Sequence, residues 1–204
     1  MGRGRKGLFV ALEGIDGAGK TTLLPRLARR LRREGVPIVP WHQPRDPWLV
    51  SLASRASARG ETGLAASAFA LDHALARGRI EREVGEGRLV LSDRSIFSTL
   101  AFQGPGLAPA DRRALVATLG TLAARPAFAL WLDLPVPLAL RRLAERSARR
   151  TPWENRRTLE RVSREYRRLA RASPRELLRL DASLSLPEVE EAALTVLKER
   201  WRER

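Results

Sequence analysis

The sequence predicts one α/β domain, residues 1–204, with a five-stranded parallel sheet flanked by helices. Short apolar runs of strand length alternate along the chain with amphipathic stretches of helical length. This alternation requires right-handed crossovers, which give a parallel sheet covered on both faces. A glycine-rich loop joins the first strand to the first helix. The composition, 44% hydrophobic and 30% charged, suits a globular chain with a full core.

The glycine-rich loop gives the clearest indication of function. Residues 14–21 read Gly-Ile-Asp-Gly-Ala-Gly-Lys-Thr and match the phosphate-binding pattern G-x-x-x-x-G-K-[ST]. The glycines let successive N–H groups face a polyphosphate, and the following helix adds the positive end of its dipole. Lys20 can reach the β- and γ-phosphates, and the Thr21 hydroxyl can ligate Mg²⁺. The loop therefore predicts ATP or GTP binding in a P-loop NTPase fold.

Two features beyond the loop belong to the same edge of the predicted sheet. A proline-broken loop, residues 40–47, follows the second strand, where ligands sit in an open parallel sheet. The third strand ends in Asp93 and Arg94, and a carboxylate there suits a metal site. The later strands are predicted at 36–39, 88–94, 127–133 and 177–180, and the later helices at 49–58, 64–83, 109–122, 137–150, 154–172 and from about 187.

The net charge and the cysteine content limit which classes of partner and which cell compartment are expected. The net charge is +15, almost all of it from arginine. Such a charge fits either nucleic-acid binding or a solvated surface around a site for anionic nucleotides. The arginines are spread over many helices without interleaved aromatics, so no nucleic-acid partner is expected. The chain has no cysteine, no signal peptide and no membrane-spanning run, which predicts a cytoplasmic protein.

Five stretches together resemble the thymidylate kinase family, P-loop enzymes that phosphorylate dTMP with ATP. The resemblance implies ATP and Mg²⁺ as cofactors, nucleotide substrates and a homodimer. The stretches, which span nearly the whole chain, are residues 9–22, Phe69 with its helix, Ser92-Asp93-Arg94 with residues 101–104, residues 132–135, and Asp181-Ala182-Ser183.

The resemblance implies a role for each matching position. It assigns Mg²⁺ binding to Thr21 and Asp93. It assigns binding of the ATP phosphates and adenine to Gly14, Ile15, Asp16, Gly17, Ala18, Gly19, Lys20, Thr21, Thr22, Asp181 and Ala182. In the acceptor site it implies that Phe69 stacks on the base and that Arg94 bridges the donor and acceptor phosphates. The positions assigned to the acceptor nucleotide are Asp16, His42, Phe69, His73, Arg94, Phe102 and Gln103.

The catalytic set implied by the resemblance is Lys20, Arg94 and an arginine from a short lid at about residues 141–155. Some family members carry a catalytic arginine in the loop where this chain has Gly17; here arginines crowd the predicted lid instead. Most of them also fit a solvated helix face. Arg149 and Arg150, near a Thr-Pro break, are the preferred candidates.

Several positions depart from the family pattern. His42 and His73 stand where acceptor-site arginines are usual, Ser95 replaces an aromatic residue, and Phe102 replaces a common tyrosine. The histidines are either structural or part of a weakened acceptor site whose affinity rises as protonation restores charge between pH 8 and 6. Arg45 or Arg77 is a candidate to supply the missing charge.

These departures leave three functions open. The first is phosphorylation of dTMP by ATP. The second is phosphorylation of a different small acceptor, such as a deoxynucleoside. The third is a nucleotide-binding paralogue with reduced catalysis, against which the retained Lys20, Thr21, Asp93 and Arg94 argue.

Overall fold

The computed structural model describes residues 6–146 and 153–204. In chain order the elements are β1 Leu8–Glu13, α1 Lys20–Arg33, β2 Ile38–His42, α2 Pro47–Ala58, α3 Thr62–Gly85, β3 Leu89–Asp93, α4 Ile96–Phe102, a 3₁₀ turn Gly104–Gly106, α5 Pro109–Leu122, β4 Phe128–Asp133, α6 Val136–Glu145, α7 Arg156–Ala172, β5 Leu177–Asp181 and α8 Leu186–Arg202. The five strands form one parallel sheet, as the sequence predicts, and their order in the sheet is β2-β3-β1-β4-β5.

The central strand β1 places the glycine-rich loop at the middle of the sheet's carboxyl edge. From Phe9 to Glu13 every residue of β1 is buried, because helices cover both faces. Phe9 packs toward Ile80 of α3, while Val10 and Leu12 belong to the main core on the other face. Helix α1 begins at Lys20, directly after the loop. The polar residues that follow β1 and β3 therefore meet at one edge.

Strand β2 is longer than the sequence predicts, and the predicted loop from residue 40 is wrong in its first part. Pro40, Trp41 and His42 continue the strand, and His42 lies in register with Asp93 of β3. A proline is tolerated because β2 is an edge strand that pairs only with β3. The chain leaves the sheet at Gln43, whose bond to Pro44 is cis.

The helical prediction differs from the structure in two places that border the site. Helix α4 was not predicted; it is only seven residues long and follows Ser95, whose hydroxyl caps it. Helix α6 ends at Glu145, earlier than the predicted residue 150. Residues 147–152, which include the preferred lid arginines Arg149 and Arg150, lie outside the described residues.

The surface of α3 carries an apolar stripe. Leu64, Leu71 and Leu75 recur at positions i, i+7 and i+11, which share one helix face, and they are 45%, 48% and 63% exposed. In the part of the chain that the structure describes, no helix is long and apolar enough to cross a bilayer.

Candidate active site

A large cavity opens above the glycine-rich loop. It has a volume of about 810 Å³. Gly17 is packed closely there: its φ is +83°, and a Cβ atom would lie 2.8 Å from the carbonyl oxygen of Ala139 in α6. This position has no room for a side chain, in keeping with the absence of a loop arginine. The lining combines Asp16–Leu23 of the loop and α1 with Asp93, Arg94, Leu132, Arg142, Leu143, Glu145, Arg146, Ala182, Leu184, Leu186 and Val189.

Lys20 is buried at the floor of this cavity. Its Nζ atom donates to the carbonyl oxygens of Gly14 and Ile15, each at 3.0 Å. Burial and the nearby charge of Arg94 lower the pKa of Lys20 to about 8. Because its hydrogen-bond partners among the described residues are carbonyl oxygens, a polyphosphate in the cavity offers the ammonium group a stronger, charged partner. Ile15 thus contributes backbone atoms, and its side chain lies in the core.

Thr21 and Asp93 lie together at one side of the loop. The Thr21 hydroxyl donates to Oδ2 of Asp93 at 2.7 Å. The other carboxylate oxygen, Oδ1, is buried and has no hydrogen-bond partner among the described residues. Mg²⁺ prefers oxygen ligands and usually retains waters and phosphate oxygens. No group of three or more His, Cys, Asp or Glu side chains among the described residues could hold a metal alone. The pair fits Mg²⁺ bound together with phosphate.

Arg94 follows β3 in the left-handed region, with φ +73°, which is uncommon for a residue other than glycine. Its amide donates to the Leu12 carbonyl at 2.9 Å, and its own carbonyl accepts from Ser92 Oγ at 2.6 Å. These bonds hold the unusual backbone and direct the guanidinium across the end of β1. There it forms an ion pair with Asp16 and donates to Ser98 Oγ at 3.0 Å.

A second, smaller cavity of about 260 Å³ lies on the other side of Arg94 and Asp16. These two residues line both cavities. Phe69, Phe102 and Gln103, which the resemblance assigns to the acceptor, all line the smaller one. The full lining is Asp16, Gln43, Pro44, Val50, Phe69, His73, Arg94, Ser95, Ser98, Thr99, Phe102, Gln103, Trp153 and Glu154.

His73 lines this second cavity but does not replace an arginine electrostatically. Its side chain is buried, and Nε2 lies 3.0 Å from Thr99 Oγ1. Burial lowers the pKa of His73 to about 4. The imidazole is therefore neutral between pH 6 and 8, which favours the structural alternative for His73.

The buried His73 makes the stability of the protein depend on pH. Because its pKa is lower in the folded chain than the ordinary 6.5, the unfolded chain binds the proton first, and stability falls as the pH drops from about 6.5 to 4. We expect His73→Gln to remove up to roughly 3 kcal/mol of this loss. Thermal unfolding measured at pH 7.5 and at pH 4.5 checks this expectation.

The exposed His42 provides the control for that measurement. His42→Gln should leave the difference in unfolding temperature between the two pH values as in the unchanged protein. If His73→Gln also leaves it unchanged, then His73 is not held neutral by burial. A dTMP KM that has the same pH profile in both variants and in the unchanged protein would show, in addition, that neither histidine charges the acceptor site.

His42 does not line the cavity that holds Phe69 and His73. It is exposed in a separate concavity beside Thr21 and Asp93, because its register next to Asp93 turns it to the α1 side of the sheet. The structure thus separates the two histidines. Arg45 and Arg77 are engaged elsewhere: Arg45 stacks 4.3 Å from the Trp41 ring centre, and Arg77 pairs with Glu81. Among the described residues Arg94 is the one guanidinium that lines the second cavity.

The predicted lid is described only at its two ends. Arg142 and Arg146 line the larger cavity; Arg142 donates to the Ala182 carbonyl at 3.3 Å, and Arg146 pairs with Glu154 at 2.6 Å. Arg141 is exposed and lies outside that lining. Of the residues assigned to adenine, Ala182 lines the larger cavity, whereas the carboxylate of Asp181 accepts from Ser183 instead.

The residues of the second cavity that sequence reasoning did not assign to the site include Gln43, Ser95, Ser98 and Trp153. Trp153 lies with its ring centre 6.3 Å from that of Phe69, and Gln43 is buried with its amide at the cavity wall. Ser95 and Ser98 line the cavity and also donate to Glu13. Signals for two of them were present in the sequence: Gln43 follows a strand at the edge where ligands bind, and Ser95 departs from the family pattern. Nothing local pointed to Ser98 or Trp153.

The parallel sheet, the phosphate loop after β1 and two cavities that meet at Arg94 define a P-loop nucleotide kinase. Residues 12–193 match the family model described as thymidylate kinase. The chain is similar to a thymidylate kinase of Alkalilimnicola ehrlichii, with 35% identity over 95% of this chain and 92% of the relative. It is also similar to thymidylate kinases of Enterococcus faecalis, with 33% identity over 97% and 99%, and of Symbiobacterium thermophilum, with 31% identity over 94% and 93%.

The chain therefore belongs to the thymidylate kinase family, whose reaction is the ATP-dependent phosphorylation of dTMP to dTDP. It is an ATP-dependent nucleoside monophosphate kinase. The resemblance found in the sequence is confirmed.

Proposed function

We propose that the chain transfers the γ-phosphate of ATP to dTMP, with ATP in the larger cavity and dTMP in the smaller one. The observation that carries this proposal is that Arg94 and Asp16 line both cavities. A phosphoryl group passes in line between donor and acceptor oxygens, so the two ligands must meet at one point. Arg94 occupies that point with a planar fork that suits phosphate oxygens.

The donor phosphates bind to the backbone amides of the loop and to Lys20. Adenine lies at the far end, against Ala182 and the planar guanidinium of Arg142, which a hydrogen bond to the Ala182 carbonyl holds beside it. Leu186 and Val189 add apolar surface at that end. Asp181 contributes by shaping the turn after β5, because its carboxylate accepts a hydrogen bond from the Ser183 hydroxyl.

Thr21 and Asp93 hold Mg²⁺ together with the ATP phosphates. The metal supplies charge neutralisation at the phosphate oxygens when it is bound. The contribution of the chain is to place a hydroxyl and a buried, unpartnered carboxylate oxygen side by side at the start of α1.

The second cavity binds the base of dTMP between aromatic side chains. Phe69 provides the stacking surface, with Phe102 and Trp153 beside it. The side-chain amides of Gln43 and Gln103 make no hydrogen bond to another described residue and are available to the base edge, as is neutral His73. A neutral lining of this kind suits an uncharged heteroaromatic ring. Asp16 lies on the sugar side, next to Arg94.

Arg94 carries the acceptor phosphate with little help from other cations. Because His73 is neutral and His42 lies outside the cavity, both arginine replacements reduce the positive charge available to dTMP. We propose that closure of the lid supplies the remaining charge, with Arg149 or Arg150 reaching the transferring phosphate and closure excluding water. These two arginines stay predictions, as does a cytoplasmic location.

A coupled assay with ATP and Mg²⁺ tests the proposed reaction. The panel contains dTMP, dUMP, dCMP, dGMP and thymidine, each over a range of concentrations. We expect dTMP to have the highest kcat/KM and turnover to require Mg²⁺. Faster turnover of thymidine than of dTMP would overturn the proposal in favour of a deoxynucleoside kinase. Tight ATP binding without turnover of any acceptor would favour a paralogue with reduced catalysis.

We also propose that two copies of the chain pair through α3. Three exposed leucines on one face of a surface helix form a self-complementary strip of the kind found in two-fold symmetric dimers. We expect Leu71→Glu with Leu75→Glu to give a monomer, because four buried carboxylates would face each other across the two-fold axis. Analytical ultracentrifugation measures the mass.

A charge change elsewhere separates this interface from general effects of charge. Arg161→Glu alters an exposed residue of α7 by two charge units and should leave the dimer intact. A monomeric mass for the unchanged protein at micromolar concentration would rule out the α3 dimer. A dimer that survives both leucine substitutions would place the interface on another face.

A further inference from the structure

A buried carboxylate lies directly beneath the site. Glu13 is the last residue of β1 and is fully buried, one residue before the glycine-rich loop. Its Oε1 atom accepts from Ser95 Oγ at 2.7 Å, and Oε2 accepts from Ser98 Oγ at 2.5 Å and from Tyr166 OH at 2.7 Å. Three donors on two oxygens suit a carboxylate, which can only accept.

The partners of Glu13 come from separate parts of the chain. Ser95 and Ser98 belong to the start of α4, and Tyr166 belongs to α7, the helix that follows the lid segment. Tyr166 is itself fixed by stacking on Trp131 of β4, with ring centres 6.1 Å apart. Glu13 therefore joins the central strand to α4, which lines the second cavity, and to α7, which packs against α4.

One of these partners also holds Arg94. Ser98 Oγ accepts a hydrogen bond from Nη1 of Arg94 at 3.0 Å, and its own hydroxyl donates to Oε2 of Glu13. Nη2 of the same guanidinium pairs with Asp16 on the loop. The fork is thus tied at both ends, to the loop through Asp16 and to the core through Ser98. Nη1 has one further hydrogen bond among the described residues, to the Gly14 carbonyl at 3.4 Å, so Ser98 is the closer of its two partners.

We infer that Glu13 is a positioning residue which, through Ser98, fixes the plane of the Arg94 guanidinium between the two ligands. Burial raises the pKa of Glu13, whereas the three hydroxyl donors and the charge of Arg94 lower it and oppose that effect. A buried carboxylate so far from water is costly unless it is paired and hydrogen-bonded. Fixing a charged group at the reacting centre gives such a residue a functional reason to be retained.

The same network accounts for one departure from the family pattern. Position 95, where an aromatic residue is usual, holds a serine whose hydroxyl donates to Oε1 of Glu13 and also caps α4. An aromatic side chain at this position offers no such donor unless it reaches with a phenol. In this chain Ser95 therefore contributes the third hydrogen bond of the buried carboxylate.

The inference rests on the role proposed for Arg94 and is tested by a double-mutant cycle. Ser98→Ala removes the link between Glu13 and Arg94 with a small change of volume. We expect kcat to fall by about tenfold or more, while ATP affinity stays within threefold because Lys20 and the loop amides are untouched. In the Arg94→Ala background, Ser98→Ala should have no further effect, because the group it positions is absent.

Two additional variants complete the cycle. Glu13→Gln and Tyr166→Phe act on the same network from its other side and should likewise lose their effect when Arg94 is alanine. Ser163→Ala removes another buried serine hydroxyl, on α7 but outside the network, and should leave kcat within twofold. Should Glu13→Gln fail to fold, comparison of Ser98→Ala in the unchanged protein and in the Arg94→Ala background still tests whether Ser98 acts through Arg94.

The outcomes separate the inference from the proposal beneath it. If Ser98→Ala keeps kcat within twofold of the unchanged protein, or if its effect multiplies fully with that of Arg94→Ala, then Glu13 and Ser98 do not act through Arg94 and the inference is wrong. If Arg94→Ala itself keeps nearly full turnover, the proposed role of Arg94 fails first.

Discussion

Replacing Lys20 with alanine should abolish turnover of ATP and dTMP while leaving the fold intact. The ammonium group lies at the floor of the donor cavity, where its partners are the carbonyl oxygens of Gly14 and Ile15. In phosphoryl transfer the negative charge spreads over the transferring oxygens, and a fixed cation there acts mainly on the transition state. We expect kcat/KM to fall by roughly 10³-fold or more.

The same substitution should cost little stability. Burial lowers the pKa of Lys20 to about 8, so holding its charge inside the protein already opposes folding. Removal of the ammonium group relieves this cost and offsets the loss of its two hydrogen bonds. The unfolding temperature measured by calorimetry should therefore stay within a few degrees of that of the unchanged protein.

Lys198 is a suitable control, because the chain has only three lysines, at positions 6, 20 and 198. Lys198 pairs with Glu34 at 2.5 Å, away from both cavities. Lys198→Ala should leave turnover within twofold. Near-normal activity of Lys20→Ala would show that Lys20 does not act on the ATP phosphates. Unfolding of that variant would show that Lys20 belongs to the core rather than to the site.

The donor half of the site could be predicted from the sequence because its information is local. The loop, its strand and its helix are contiguous, and their spacing alone fixes which atoms face the phosphate. The predicted order of strand, loop and helix agrees with β1 Leu8–Glu13 and α1 Lys20–Arg33 of the structure. Asp93 was also predictable, since the carboxyl ends of parallel strands meet at one edge whatever the length of the intervening chain.

The second cavity was less predictable because it depends on tertiary packing. A histidine in the sequence carries no sign of its burial, so the neutral state of His73 appears only once α3 packs against α4. The resemblance assigned His42 to the same site, and its place on the α1 side of the sheet appears only once β2 extends to His42 and pairs with β3. The Glu13 network joins residues up to 153 positions apart.

Replacement of Arg94 with alanine should have the second large effect, on catalysis and on dTMP binding together. Among the described residues no other guanidinium lines the acceptor cavity. His73 is neutral there, and Arg45 stacks on Trp41 instead of entering the cavity. We expect kcat to fall by about 10³-fold, the range in which a single arginine stabilises phosphoryl transfer, and the KM for dTMP to rise by tenfold or more.

Arg94→Lys separates the charge of this residue from its shape. A lysine keeps the positive charge but presents a single ammonium instead of a planar fork that can hold two oxygens. We expect it to restore most of the dTMP affinity and little of the turnover, because binding needs charge whereas transfer needs both phosphates held in line. Initial rates over a matrix of ATP and dTMP concentrations separate the two parameters.

Arg45→Ala is the matched control for these two variants, because it removes a nearby guanidinium that the structure places on Trp41 instead of in the cavity. Its kcat and KM should stay within a few-fold of the unchanged protein. A loss at Arg45 equal to that at Arg94 would mean that Arg45 supplies the missing acceptor charge after all. Full recovery of turnover by Arg94→Lys would show that a point charge suffices, and the two-phosphate bridging role of Arg94 would then be wrong.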